Sequence, residues 1–219
     1  MTSDRDAAQA EVVLGRTTST PSADACRFDA VDAPFTLVIF GATGDLTARM
    51  LLPALTALCA GGHLPDNFAV VGASRTELTD EAFRERMREA AKEFGDCGND
   101  AWAAMAPRFT YKQVHYDDPA SFTALAGFLD DLAKERNLGP NRIFYLAVPP
   151  TVYEDIAVNL AGAGLAEETG GYARLVIEKP FGRDLETARV LEKALHTRFA
   201  EHQIFRIDHY LAKETVQNI

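Results

Sequence analysis

The run Phe35-Thr36-Leu37-Val38-Ile39-Phe40 leads without a spacer into Gly41-Ala42-Thr43-Gly44-Asp45-Leu46. With Thr36 its only polar side chain, the run does not suit a strand with one wet face. It fits a strand buried on both sides, the condition inside a parallel sheet. The glycine turn then delivers the chain into residues 45–60, whose pattern predicts a helix broken by Gly61-Gly62. A buried strand, a tight turn and a helix in immediate succession leave few folds open.

The alternation continues. Strands are expected over residues 68–73, 109–115, 143–148, 173–178 and 204–207. Helices are expected over 79–94, with an acidic first turn, over 119–137, with Pro119 at its start, and over 151–163, after Pro149-Pro150. A further helix over 184–199 sets Ala188, Leu191, Leu195 and Phe199 on one face. Six strands separated by helices, without repeats, predict an α/β fold: a doubly wound, mainly parallel sheet of the Rossmann type. No linker interrupts residues 34–207. Residues 1–33, rich in Ala, Ser, Thr and Asp, are expected to be a largely disordered leader.

At 219 residues, 47% of them hydrophobic, the chain can bury one good core. A net charge of −10 and a pI near 5.0 argue against nucleic acid or an anionic membrane surface as partner. An anionic ligand then has to be held by a local cluster of cations. Cys26, Cys59 and Cys97 have no CxxC or Cys/His spacing, which points to reduced thiols and no metal site. No apolar leader segment and no run approaching ~18 apolar residues occurs, so a soluble, cytoplasmic protein is expected.

Glycines at a strand-to-helix turn let backbone N–H groups approach a pyrophosphate at the helix N-terminus. Gly41, Ala42, Thr43, Gly44, Asp45 and Leu46 are therefore candidate dinucleotide-binding residues. The spacing is GxxGxx rather than GxGxxG, and it also suits a plain tight turn with Asp45 as a helix cap. The surrounding strand–turn–helix–strand order favours the dinucleotide. A P-loop is excluded because no Gly-Lys-Ser/Thr follows, and a short-chain dehydrogenase is disfavoured because the chain has no Tyr-x-x-x-Lys. The second strand ends Gly72-Ala73-Ser74-Arg75-Thr76, with no acid before Glu77. An acid there would bind a ribose 2′-hydroxyl, whereas Arg75 beside the Ser74 and Thr76 hydroxyls suits the 2′-phosphate of NADP.

Lys179 follows a buried strand and precedes Pro180, which keeps it out of helical geometry. That suits a lysine directed out of the C-terminal edge of the sheet, where ligands bind. Glu178 beside it reads as a structural hydrogen-bonding partner. Tyr153 starts a helix at the same edge and fits either the site or packing against the sheet. If a helix begins at Asp208, His209 and Lys213 are four apart on one face, beside free N–H groups that suit a phosphate monoester. His63, His115, His196 and His202 have no spacing that suggests a metal or a dyad.

The glycine turn, Ile177-Glu178-Lys179-Pro180-Phe181-Gly182 and Arg206-Ile207-Asp208-His209-Tyr210-Leu211-Ala212-Lys213-Glu214, in this order, closely resemble the glucose-6-phosphate dehydrogenase family. The resemblance runs from about Phe35 to Ile219. It implies that the turn holds the NADP pyrophosphate, that Arg75 reads the 2′-phosphate and that Tyr153 lines the nicotinamide side. Lys179 would contact both cofactor and sugar, while His209, Tyr210 and Lys213 would hold the phosphate of glucose 6-phosphate. Asp208 would orient a catalytic histidine further along the chain. On this reading residues 34–207 are an NADP-binding domain and 208–219 begin a β+α substrate domain. The remainder of that domain would carry the base and a homo-oligomer interface, so this chain is expected to be inactive alone. The implied reaction, without a metal, oxidises glucose 6-phosphate to 6-phosphogluconolactone, the first step of the pentose phosphate pathway. The competing reading is a stand-alone NADP-binding regulatory or scaffolding module. Thr47-Ala48-Arg49 stands where the family often has Ala-Lys-Lys, and Ala212 where glycine is usual.

Overall fold

In the computed structural model, residues 33–95, 98–182 and 184–208 are described. The expected leader, apart from Ala33, and residues 209–219 lie outside them. Strands β1 (Phe35–Phe40), β2 (Phe68–Ser74), β3 (Phe109–Gln113), β4 (Arg142–Leu146), β5 (Ala173–Glu178) and β6 (Ile204–Ile207) form one sheet in the order β3-β2-β1-β4-β5-β6. Every neighbouring pair is parallel, as the continuous apolar runs require. The winding reverses between β1 and β4, which opens a crevice beyond their C-terminal ends.

Alternation along β1 shows how both faces are covered. Phe35, Leu37 and Ile39 pack on one side with Phe83, Met87 and Trp102, while Val38 and Phe40 pack on the other with Phe122, Leu125 and Ile156. The first layer comes from α1 (Leu52–Ala60), α2 (Asp80–Phe94) and α3 (Asn99–Met105). The second comes from α4 (Pro119–Arg136), α5 (Tyr153–Gly162) and α6 (Leu185–His196). Side chains cap three of these helices: Thr79 accepts from Ala82 N, Asp118 from Ala120 N, and Asp184 and Thr187 form a capping box. Among the described residues no helix is long and apolar enough to cross a membrane.

Three local features depart from expectation. Helix α3 was not anticipated; it is seven residues long and is held by the burial of Trp102 and Met105 rather than by an extended periodic pattern. The helix expected over 45–60 widens into a π-helical stretch at Thr47–Leu51 before α1. Pro53, which has no N–H to give Arg49 and would crowd its carbonyl, lies just beyond the wide turn. Strand β3 ends at Gln113, two residues short of expectation, before the chain turns toward α4.

The edge strand β6 has little apolar burial of its own, Ile204 being its one fully buried residue. Arg206 fixes it. Its Nε and Nη2 each donate to a Glu192 carboxylate oxygen on α6 at 2.8 Å, and its Nη1 donates to Glu201 Oε1 at 3.0 Å. His196 Nε2 lies 3.2 Å from Glu192 Oε2 and 3.0 Å from Glu201 Oε2. Hydrogen bonds from Arg206 hold the Glu192 carboxyl below its ordinary value of 4.5. A carboxyl lowered by folding contributes stability that is present above its unfolded pKa and lost as pH falls through the folded one. This clamp should therefore weaken as pH drops below about 4.5, and Arg206→Met should flatten that part of the acid limb. The effect is small because the cluster is partly exposed. Urea midpoints of parent and variant between about pH 6 and about pH 3 measure it, and parallel curves would show that the clamp contributes nothing.

Candidate active-site edge

Gly41 ends β1 in a left-handed conformation, with φ +81°. A Cβ at this position would lie 2.2 Å from the Ala147 carbonyl oxygen and 2.8 Å from Val148 Cγ1, so no side chain fits. The turn is tied down from several directions. Gly41 N donates to Ala73 O at 2.9 Å and to the Tyr116 hydroxyl at 3.0 Å, and Gly41 O accepts from Gly44 N at 2.8 Å and Thr47 Oγ1 at 3.2 Å. A Cβ on Gly44 would come within 3.0 Å of that same carbonyl. Asp45 does not cap the helix; its carboxylate pairs with Arg49 at 2.8 Å on the surface.

Beyond the turn lies a cleft of about 400 Å³. Its walls are Gly41, Thr43 and Gly44, the β2 end from Ser74 to Thr76, Tyr116, and the segment from Ala147 to Val152. Ser74 is buried; its hydroxyl accepts from Thr43 Oγ1 at 3.2 Å and lies 2.6 Å from the Tyr111 hydroxyl, so it fastens the turn to β2. Arg75 is exposed, with its guanidinium 5.7 Å from the centre of the Tyr116 ring. A side-chain-free glycine wall, hydroxyls and a guanidinium around one crevice fit a dinucleotide.

Tyr116 was not singled out in the sequence. It packs edge-on against Phe40 at 5.9 Å and accepts the Gly41 N–H, and burial pushes its phenol pKa up. Its only sequence signal is its place just after the third strand, at the sheet edge already expected to bind.

Of the two readings the sequence leaves for Tyr153, lining the site or packing against the sheet, the structure shows packing against the sheet. Only 1% of it is exposed, and its hydroxyl donates to Glu178 O at 3.2 Å. The ring is part of the apolar layer under α5 and does not face the cleft, because the helix start turns it inward against the sheet. Glu178 is 7% exposed, and Tyr145 donates to its Oε1. Burial, reinforced by that carboxylate, pushes the Tyr145 phenol well up. Glu178 thus has the structural role expected of it, with both tyrosines bracing the end of β5.

Lys179 emerges just past that brace. Its backbone N donates to Ile207 O at 3.1 Å, which extends the β5–β6 ladder, and its Nζ lies 2.7 Å from Asp208 Oδ2. The Lys179–Pro180 bond is cis. Parallel pairing of Glu178 with Ile207 sets Lys179 and Asp208 side by side at the sheet edge. Pro149 and Thr151 line both the dinucleotide cleft and an apolar depression of about 720 Å³ that reaches Pro180 and Phe181, so the glycine turn and the lysine share one continuous edge. His209, Tyr210 and Lys213 lie outside the described residues.

The sequence profile of the family described as "Glucose-6-phosphate dehydrogenase, NAD binding domain" matches residues 38–218. Glucose-6-phosphate 1-dehydrogenase of Treponema pallidum is 46% identical over 193 residues, covering 85% of this chain and 37% of the relative. The enzyme of Aggregatibacter actinomycetemcomitans is 43% identical over 183 residues, covering 84% of this chain and 37% of the relative. A solved glucose-6-phosphate dehydrogenase in complex with its substrate glucose-6-phosphate superposes with a TM-score of 0.75 at 31% identity, over 87% of this chain and 39% of that one. The Mycobacterium avium enzyme gives 0.68 at 31% identity, over 84% of this chain and 41% of that one. The chain thus spans less than two-fifths of the curated relatives it matches. With the profile matched from the middle of β1 to beyond β6, this chain belongs to the glucose-6-phosphate dehydrogenase family.

Proposed function

We propose that this chain is the coenzyme-binding part of an NADP-dependent glucose-6-phosphate 1-dehydrogenase, which oxidises glucose 6-phosphate to 6-phosphogluconolactone at the entry to the pentose phosphate pathway. The observation that carries the proposal is the Lys179–Asp208 pair, 2.7 Å apart, on the same sheet edge as a glycine-walled cleft. Backbone groups of the Gly41–Leu46 turn would hold the pyrophosphate, and Arg75 the 2′-phosphate. The nicotinamide, when bound, supplies the hydride acceptor.

The chain's own residues would bind and orient. Lys179, 52% exposed at its side chain, can donate to a sugar oxygen and to a cofactor oxygen from one ammonium group. Asp208 limits where that ammonium can swing. Its carboxylate also suits the orienting of a histidine, which would take the proton of the C1 hydroxyl and which the longer relatives would supply. By family resemblance, His209, Tyr210 and Lys213 would hold the substrate phosphate, and the remaining length of the enzyme would mediate a homo-oligomer.

Arg75→Ala should weaken NADP binding about tenfold and change NAD binding little, since a charge-assisted pair to phosphate is lost in one case only. Calorimetric titration with both cofactors measures this, and equal losses would remove Arg75 from the 2′-phosphate site. In an enzyme of the relatives' full length, Lys179→Ala should lower kcat on the order of 10²-fold while NADP affinity changes much less. Unchanged kcat and kcat/KM would place Lys179 outside the reaction.

A further inference from the structure

Arg86 on α2 is the feature the proposed function leaves unused. Its Nη2 donates to the carbonyl of Thr43, inside the glycine turn, at 2.6 Å. Among the described residues it makes no other hydrogen bond and no ion pair. The arginines two positions before and after it behave differently: Arg84 meets Asp80 and Glu81, and Arg88 is bonded to Glu85. Arg86 instead leans across to the turn and leaves most of its five N–H donors uncommitted.

Thr43 connects this guanidinium to the end of β2. Its hydroxyl donates to Ser74 Oγ, which in turn lies 2.6 Å from the Tyr111 hydroxyl. The charge of Arg86 is felt at Tyr111, and that of Arg75 at Tyr116, the two phenols that reach Ser74 and Ala73 respectively. Arg75 thus lines this end of the cleft, and Arg86 reaches the same end through the carbonyl of Thr43, itself a lining residue. Among the described residues neither has a carboxylate within ion-pairing distance, in a chain of net charge −10. A phosphate monoester carries close to two negative charges at neutral pH, more than a single guanidinium neutralises.

The geometry points to Arg86 as a second cation for the 2′-phosphate of NADP, and so as a specificity-determining residue alongside Arg75. This rests on the proposal that the 2′-phosphate lies at the end of β2. Arg86 keeps or gives up its bond to Thr43 O and presents its remaining N–H groups to the phosphate from the α2 side. Helix α2, capped by Thr79 and anchored by buried Phe83 and Met87, gives it a rigid base. If Arg86 only supported the turn, its loss would weaken NADP and NAD alike, because both place a pyrophosphate there.

The experiment compares the full chain with Arg86→Met, Arg86→Lys and Arg75→Ala. Arg86 is exposed on a capped helix, so the fold does not depend on it; thermal unfolding verifies this for each variant. Each protein is titrated calorimetrically with NADP, NAD and adenosine 2′,5′-bisphosphate at low and high salt. Arg86→Met is expected to weaken NADP and the bisphosphate about tenfold, to leave NAD within about twofold and to flatten the salt dependence of NADP binding. Arg86→Lys should recover part of the loss. Equal losses for NADP and NAD, or none for either, would overturn the inference. A selective loss in Arg75→Ala with none in Arg86→Met overturns the role of Arg86 and leaves that of Arg75 standing. Unchanged NADP-to-NAD ratios in both variants overturn the 2′-phosphate reading as a whole.

Discussion

Gly41 has no room for a side chain, and the site is arranged around that fact. A methyl group there would sit 2.2 Å from the carbonyl oxygen of Ala147, the residue that follows β4. The backbones of β1 and β4 approach this closely because they are neighbours in the sheet yet wound in opposite directions from the middle. The close approach aims the turn at the crevice, and the left-handed conformation of Gly41 lets the chain enter a helix within a few residues. Tyr116 and Thr47 then lock the turn by bonding the N–H and C=O of the same glycine.

The opposite end of the edge is built on different physics. Glu178 is a buried acid, stabilised by the Tyr145 hydroxyl, and its carbonyl takes the hydroxyl of Tyr153. That brace fixes the point at which β5 stops. Lys179 and Asp208 then meet because β6 runs parallel to β5 in one register, secured by a single apolar anchor and the Arg206 clamp. One end of the site thus depends on the absence of a side chain and the other on paired charges. The two ends also differ in what would disturb them: steric bulk at the first, and pH or salt at the second.

Local physics made the strands and most helices legible. A double-sided parallel sheet favours long apolar runs, and β1 and β2 supply them almost without a break; Thr79, Asp118 and Asp184 mark helix starts because their side chains satisfy orphan N–H groups. Helix α3 is not legible because seven residues carry too little periodicity, and it is held by the burial of Trp102, which packs on Phe109, and of Met105. Tyr153 fits either the site or the sheet in the sequence, because a tyrosine at a helix start near the edge can point either way. Its burial in the apolar layer under α5 comes from tertiary packing alone.

The sequence by itself determined the alternating fold, the glycine turn, Arg75 at the end of the second strand and the Lys179-Pro180 exit, since each depends on residues adjacent in the chain. Tertiary structure alone decided that Tyr116 secures Gly41 from 75 positions away and that Arg86 reaches Thr43 from 43 positions away. It also set Lys179 against Asp208 across 29 positions. These contacts arise from strand order and helix placement, which bring distant backbone together at one sheet edge. No periodicity or spacing in the chain encodes which side chains then fall within a hydrogen bond of each other.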